Sequence, residues 1–155
     1  MKLNFFAIVA VAFGAMLARA NAQDAPPKPP VGIPADAKWF NGNWFRVYLE
    51  AGGWKAAKEK CERRRARLAV VKDEGTQTFI KELGGELSLW LGASEEVKGL
   101  WKWVDGSELT FRAWGEGQPD FSSPKRQALH LWKGVWGDAY MDDKLVGYIC
   151  EWNSR

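Results

Sequence analysis

One histidine and two cysteines are all that this chain offers a soft metal. A zinc site needs more His or Cys than that. A catalytic triad needs a base held beside a nucleophile, and nothing singles out Ser122 or Ser123 as a partner for His130. As a lone strand residue, His130 reads as packing or surface. Basic runs are also scarce. Arg63-Arg64-Arg65 is the only one, and the formal net charge is +3, so the chain has no nucleic-acid footprint. The run reads as a solvated helix end, where cations suit the helix dipole, with an anionic-polysaccharide patch as the alternative. Carboxylates suited to glycoside cleavage exist in Asp120, Asp138 and Glu151, but nothing further points to hydrolysis, and the chain reads as a non-enzyme. No internal repeat is visible.

A long membrane span is missing too. Leu3 to Leu17 is apolar over about 15 residues, short of the roughly 20 that cross a bilayer. It follows the positive start Met1-Lys2 and precedes Ala20-Asn21-Ala22, a small-residue cleavage pattern. Residues 1–22 therefore read as a secretory signal peptide, cut before Gln23, with a membrane anchor as the alternative. No cysteine stands at the cut, which excludes a lipoprotein signal. Losing Lys2 and Arg19 with the signal lowers the charge from +3 to +1. The expected location is secreted or extracytoplasmic, with no membrane span after signal removal.

Residues 23–37 hold Pro26, Pro27, Pro29, Pro30 and Pro34 and few apolar side chains, so they read as a stiff extended linker. Residues 38–155 amount to one small domain. Its ten tryptophans supply abundant core material. Cys61 and Cys150, an even pair in an exported chain, suggest one disulfide closing a loop of about 90 residues; a pair of buried free thiols is the alternative.

The pattern along the domain is strand, two helices, then strands and long loops. "WFNGNWFRVYL" at 39–49 places aromatic and β-branched residues around Asn-Gly, a hairpin signal. Trp54, Ala57, Lys58 and Cys61 recur at helical spacing in a run to Arg65. Leu68 to Val71 reads as a short buried strand. Asp73 is a good N-cap for "EGTQTFIKELGG", with Phe79, Ile80 and Leu83 inward and Gly84 as the stop. "LSLWLGA" at 87–93 alternates, and "WKWVDGSELT" at 101–110 carries an Asp-Gly turn. Ala128–Trp132, a Lys133-Gly134 turn, Val135-Trp136 and "GYICEW" at 147–152 complete the strands. Residues 111–127 have no period and form a long loop, often a functional feature. The expected class is α+β with antiparallel pairing.

In that order, "WKAAKEKC" at 54–61, "RLAVV" at 67–71, "LWLGA" at 89–93, "WKWVDGSEL" at 101–109, "GQPD" at 117–120, "WGD" at 136–138 and "YICEW" at 148–152 resemble a C-type lectin-like domain. The resemblance covers residues 40–153. It implies that the termini meet in a small sheet, that two helices flank small antiparallel sheets, and that a long loop region sits on top. It pairs Cys61 with Cys150. It places Ala128 and Met141 where the family usually has a second disulfide, so packing, or packing with an ion, is expected to hold the long loop here in place of a staple.

The resemblance also gives "GQPD" a purpose. It implies a cis bond before Pro119, which aims Gln118 and Asp120 at one point, with Asp138 joining from the neighbouring strand. Those three are the candidate calcium ligands and carbohydrate contacts. The bound ion would take two vicinal sugar hydroxyls as further ligands, and Gln-Pro-Asp goes with galactose-type sugars. Phe121, Trp132 and Trp136 are candidates for stacking on the sugar. Two departures weaken the ion: Gly137 replaces the usual Asn, and Arg126 replaces a usual Glu. Asp142 and Asp143 are the residues that would compensate. The expected partner is a glycan, with galactose-type as the leading class. The alternative is a calcium-free domain that binds a protein or acidic ligand.

Overall fold

The computed structural model describes residues 26–120 and 127–153. The signal-peptide reading of residues 1–22 lies outside them, as do Phe121 and Arg126. β1 (Lys38–Phe40) and β2 (Asn43–Tyr48) form the hairpin expected from Asn-Gly. Asn41 and Gly42 have φ of 45° and 84°, the left-handed pair that a two-residue turn requires. The first helix, α1 (Trp54–Arg63), buries Trp54, Ala57 and Cys61. β3 is only Arg67–Leu68. Ala69 to Val71 are buried but not strand, so the expected strand is shorter than its apolar run.

Helix α2 (Glu74–Gly84) starts where Asp73 caps it, accepting the Thr76 backbone N–H at 2.8 Å. Its buried residues are Thr76, Gln77, Ile80 and Gly84, while Phe79 and Leu83 are half-buried. The helix therefore runs through Gly84, and Gly85, at φ 55°, ends it. A Cβ on Gly84 would stand 2.4 Å from Leu131 Cδ2, so that glycine lets α2 approach the sheet closely.

The remaining strands are β4 (Leu89–Val97), β5 (Leu100–Trp103), β6 (Gln127–Trp132), β7 (Val135–Tyr140) and β8 (Gly147–Asn153). They join one eight-stranded sheet of order β1-β2-β8-β4-β6-β7, with β3 on β8 and β5 on β4. All pairs are antiparallel except β4–β8, which is parallel over Leu89–Trp90 and Gly147–Tyr148. The fold is α+β as expected, with a single mixed sheet in place of small antiparallel ones. β8 sits between β2 and β4, so the chain's two ends meet at the sheet's centre. Cys61 is bonded to Cys150, tying α1 to β8 across 89 residues.

β8 is buried from Gly147 to Trp152, as a strand covered on both faces must be. Its one charged buried residue is Glu151, 1% exposed. Asn43, the Arg67 guanidinium and the Val70 N–H all donate to its carboxylate. A buried charge is tolerated when it is paired in this way. Burial alone would lower the Arg67 pKa, but the pairing with Glu151 outweighs it and raises it.

Two apolar clusters flank the sheet. One gathers Ile80, Leu129, Leu131, Trp103 and Trp136 under α2. The other gathers Trp54, Trp90, Ala128, Met141 and Cys150 under α1. Ala128 and Met141, at the positions implied for a second disulfide, thus share one packed cluster. Packing reaches back into the Pro-rich segment as well. Residues 30–33 and 34–37 close turns, Ala37 is buried, and Ile33 packs on the α1-side cluster. Among the described residues no helix is long and apolar enough to cross a membrane.

Candidate functional site

The long loop is laced to β7 before it reaches Gln118. Trp136 N–H donates to Ala113 O at 2.9 Å, and Gly115 N–H donates to Trp136 O at 2.8 Å. The loop then reverses at Gly117, φ 73°, and Gln118 N–H donates to Gly115 O. The Gln118–Pro119 peptide is cis, as the family resemblance implied.

Three residues from two chain segments converge here. Gln118 Oε1 accepts the Asp138 backbone N–H at 3.0 Å. Asp138 Oδ1 accepts the Asp120 backbone N–H at 3.2 Å. The other carboxylate oxygen, Asp138 Oδ2, is buried and has no hydrogen-bond partner among the described residues; the same is true of Gln127 Oε1. Both residues line one cavity of about 150 Å³, together with Asp120, Tyr140 and Asp143. Burial pushes the Asp138 carboxyl up, and the nearby charges of Asp120 and Glu95 push the same way, against the Asp120 N–H that lowers it.

An orphaned buried oxygen is costly, and two of them on residues that line one small cavity call for a cation or a hydrogen-bond donor. The donors present are hard oxygens, the kind calcium takes. Among the described residues no three Asp, Glu, His or Cys side chains are grouped closely enough to hold a metal. The set therefore fits a hard cation only with the amide oxygens of Gln118 and Gln127 counted beside Asp120 and Asp138.

The tryptophans are placed differently from the expectation. Trp136 is 0% exposed. Its indole N–H donates to Gln77 Oε1 at 2.7 Å, and Trp103, Phe111 and Trp114 pack edge-on around it. It has no face left for a sugar. Trp132 is half exposed, but the register pairs it with Val135 and pairs Asp138 with Leu129. Side chains alternate along a strand, so Trp132 and Asp138 project from opposite faces of the β6–β7 hairpin. Lys133 Nζ lies 4.9 Å from the Trp132 ring centre.

Tyr140 and Gln127 were not among the residues expected from sequence. Their register partnership puts them opposite each other on the Asp138 face. Gln127 carried a usable signal, as a polar residue opening the apolar run "QALHLW" that the structure buries at 4% exposure. Asp143, one of the two compensating candidates, lines the cavity, and Asp142 is not among the residues that line it. Gly137 has a structural reason. A Cβ there would stand 2.7 Å from His130 Nε2. The family's Asn is excluded as long as His130 keeps its place against Ser88 Oγ and the edge of Trp90.

Residues 50–152 match the family of the lectin C-type domain. The chain is 32% identical over 117 residues to the galactose-specific lectin nattectin of Thalassophryne nattereri, covering 70% of this chain and 73% of that one. It is 29% identical over 118 residues to the hepatic lectin of Gallus gallus, covering 74% of this chain and 56% of that lectin. The carbohydrate-recognition domain of the mouse scavenger receptor C-type lectin superposes with a TM-score of 0.73 at 28% identity, covering 79% of this chain and 98% of that domain. The fold and the family match thus define a C-type lectin domain. The chain belongs to the C-type lectin family. It spans little more than half of the hepatic lectin's length.

Proposed function

We propose that this chain is an exported, non-enzymatic carbohydrate-binding module that takes galactose-type glycans at the Gln118–Asp120–Asp138 cluster. The observation that carries the reading is the buried Asp138 Oδ2, without a hydrogen-bond partner among the described residues, on a side chain held beside Gln118 and Asp120 by loop-to-strand hydrogen bonds. The galactose-specific relative supports the sugar class. Trp136 leaves the contact set because it is buried, and Trp132 because it faces away; Tyr140 takes their place as the aromatic lining the cavity. The disulfide suits an oxidising compartment.

Calcium would rest on Gln118, Asp120 and Asp138, with Gln127 as an added oxygen. When bound, such an ion takes sugar hydroxyls as ligands. With so few charged ligands, the affinity belongs in the weak range of extracellular modules, on the order of 10⁻⁴–10⁻³ M. Single shallow sites of this kind gain avidity by multivalency. Calorimetric titration tests the reading: galactose should bind in millimolar calcium and lose affinity at least tenfold in Asp120→Ala. No heat with galactose or mannose, with or without calcium, would contradict it.

One observation favours a second reading, a calcium-independent domain that binds a protein or acidic ligand. His130 blocks an Asn at position 137, which removes one expected ligand. Under that reading, ligand binding persists in EDTA and survives Asp120→Ala.

A further inference from the structure

Beyond Gln118 the surface holds a second cavity, of about 340 Å³. That volume lies within the ordinary range for small-molecule sites. Trp101, Leu109, Trp114, Gln118 and Pro119 form its walls together with Arg112. Gln118 and Pro119 therefore stand between the Asp138 cluster on one side and this cavity on the other. A ligand anchored at Gln118 has this cavity as its neighbouring space.

The lining has a distinct chemistry. Two indoles meet there edge to face, Trp101 and Trp114, with ring centres 5.1 Å apart. Trp101 is 8% exposed and its indole N–H has no acceptor among the described residues. Trp114 is half-buried. Among the described residues Arg112 is the one charged side chain on the lining. It is exposed and takes part in none of the ion pairs of the described residues. Arg65, just past the end of α1, shares this state, whereas Arg46, Arg63, Arg64 and Arg67 each have a carboxylate partner. Arg112 and Trp114 also line a second groove against α2, whose other charged residues are Glu74, Lys81 and Glu82.

An unpaired guanidinium beside aromatic walls selects an anion carried on an apolar-faced body. Guanidinium pairs carboxylates and sulfates through two parallel N–H bonds, and the carbon face of a pyranose suits an indole wall. We propose that this cavity is the subsite for a second, acidic sugar unit, one that carries a sulfate or a carboxylate and is joined to the unit held at Gln118. The proposal rests on the glycan reading of the Asp138 cluster. Arg112 pairs the acid, and the two tryptophans seat the ring.

Calorimetry in millimolar calcium with three disaccharides tests this: N-acetyllactosamine, its form sulfated at the 6-position of the glucosamine, and galactosyl-glucuronic acid. All three leave the galactose hydroxyls free. One or both acidic probes should bind at least fivefold tighter than the neutral one, and the arm that gains identifies sulfate or carboxylate. Arg112→Gln should erase the gain while leaving the neutral affinity within twofold, and the gain should shrink in raised salt. Equal affinity for all three in the wild type overturns the acidic subsite while leaving the galactose reading intact. An Arg112→Gln loss that is equal for neutral and acidic probes also overturns it. Acidic binding that persists in EDTA and in Asp138→Asn, but not in Arg112→Gln, supports the subsite and overturns the calcium-anchored reading. No binding of any probe overturns both.

Discussion

His130 Nε2 occupies the space that a side chain on Gly137 would need, 2.7 Å from its ideal Cβ. The two residues face each other across β6 and β7. Ser88 Oγ holds the other ring nitrogen at 3.0 Å, so the imidazole cannot yield freely. Overpacking of this kind costs about 1–3 kcal/mol. Gly137→Asn should therefore lower thermal stability, and adding His130→Ala should recover part of the loss in a double-mutant cycle. A single Gly137→Asn variant as stable as the parent would show that the contact is not limiting.

Asp138 gives a pH signature. Burial raises its carboxyl above the ordinary value of 3.8. The folded state therefore binds the proton more tightly than the unfolded chain. Stability is highest below the ordinary carboxylate value and falls as pH rises through the raised one. Without calcium, Asp138→Asn should melt higher than the wild type at pH 7.5, and the gap should close toward pH 4. Millimolar calcium should raise the melting point of the wild type at pH 7.5 and leave the variant unchanged. Parallel melting curves across that window, with and without calcium, would contradict the assignment of Asp138 as an uncompensated buried acid.

The two tryptophans separate core from site. Trp136→Phe removes the donor to Gln77 Oε1 and opens space among Trp103, Phe111 and Trp114. A loss of about 2–4 kcal/mol in chemical denaturation is expected. Trp132→Ala, at a half-exposed hairpin end, should stay within roughly 0.5 kcal/mol and leave galactose binding unchanged. Loss of sugar affinity on Trp132→Ala would reverse its exclusion from the site.

Much of this architecture is written locally. Asn41-Gly42 and Asp105-Gly106 mark turns with positive φ, Asp73 caps α2, and the α1 stripe points at Cys61. Each depends on neighbours in the chain, so spacing reveals it. Gln118, Asp120 and Asp138 are legible as a set only through the family pattern, because their meeting depends on the lacing of residues 113–115 to β7. The placement of the tryptophans has a different origin. Whether Trp132 or Trp136 faces a ligand depends on strand parity and on what packs above the sheet. An aromatic beside a loop looks the same in sequence whether it is buried or bare. Arg112 has no signature in the sequence, because nothing local distinguishes an unpaired arginine from one that meets a carboxylate across the fold.

The central claim is that Asp138, Gln118 and Asp120 together form a sugar-binding centre. Retention on galactose-agarose in millimolar calcium tests it most directly, comparing wild type with the near-isosteric Asp138→Asn. The account predicts that the wild type is retained and is released by EDTA, while the folded variant passes through unretained. Equal retention of both proteins, or passage of the wild type through galactose and mannose resins with calcium present, would contradict it.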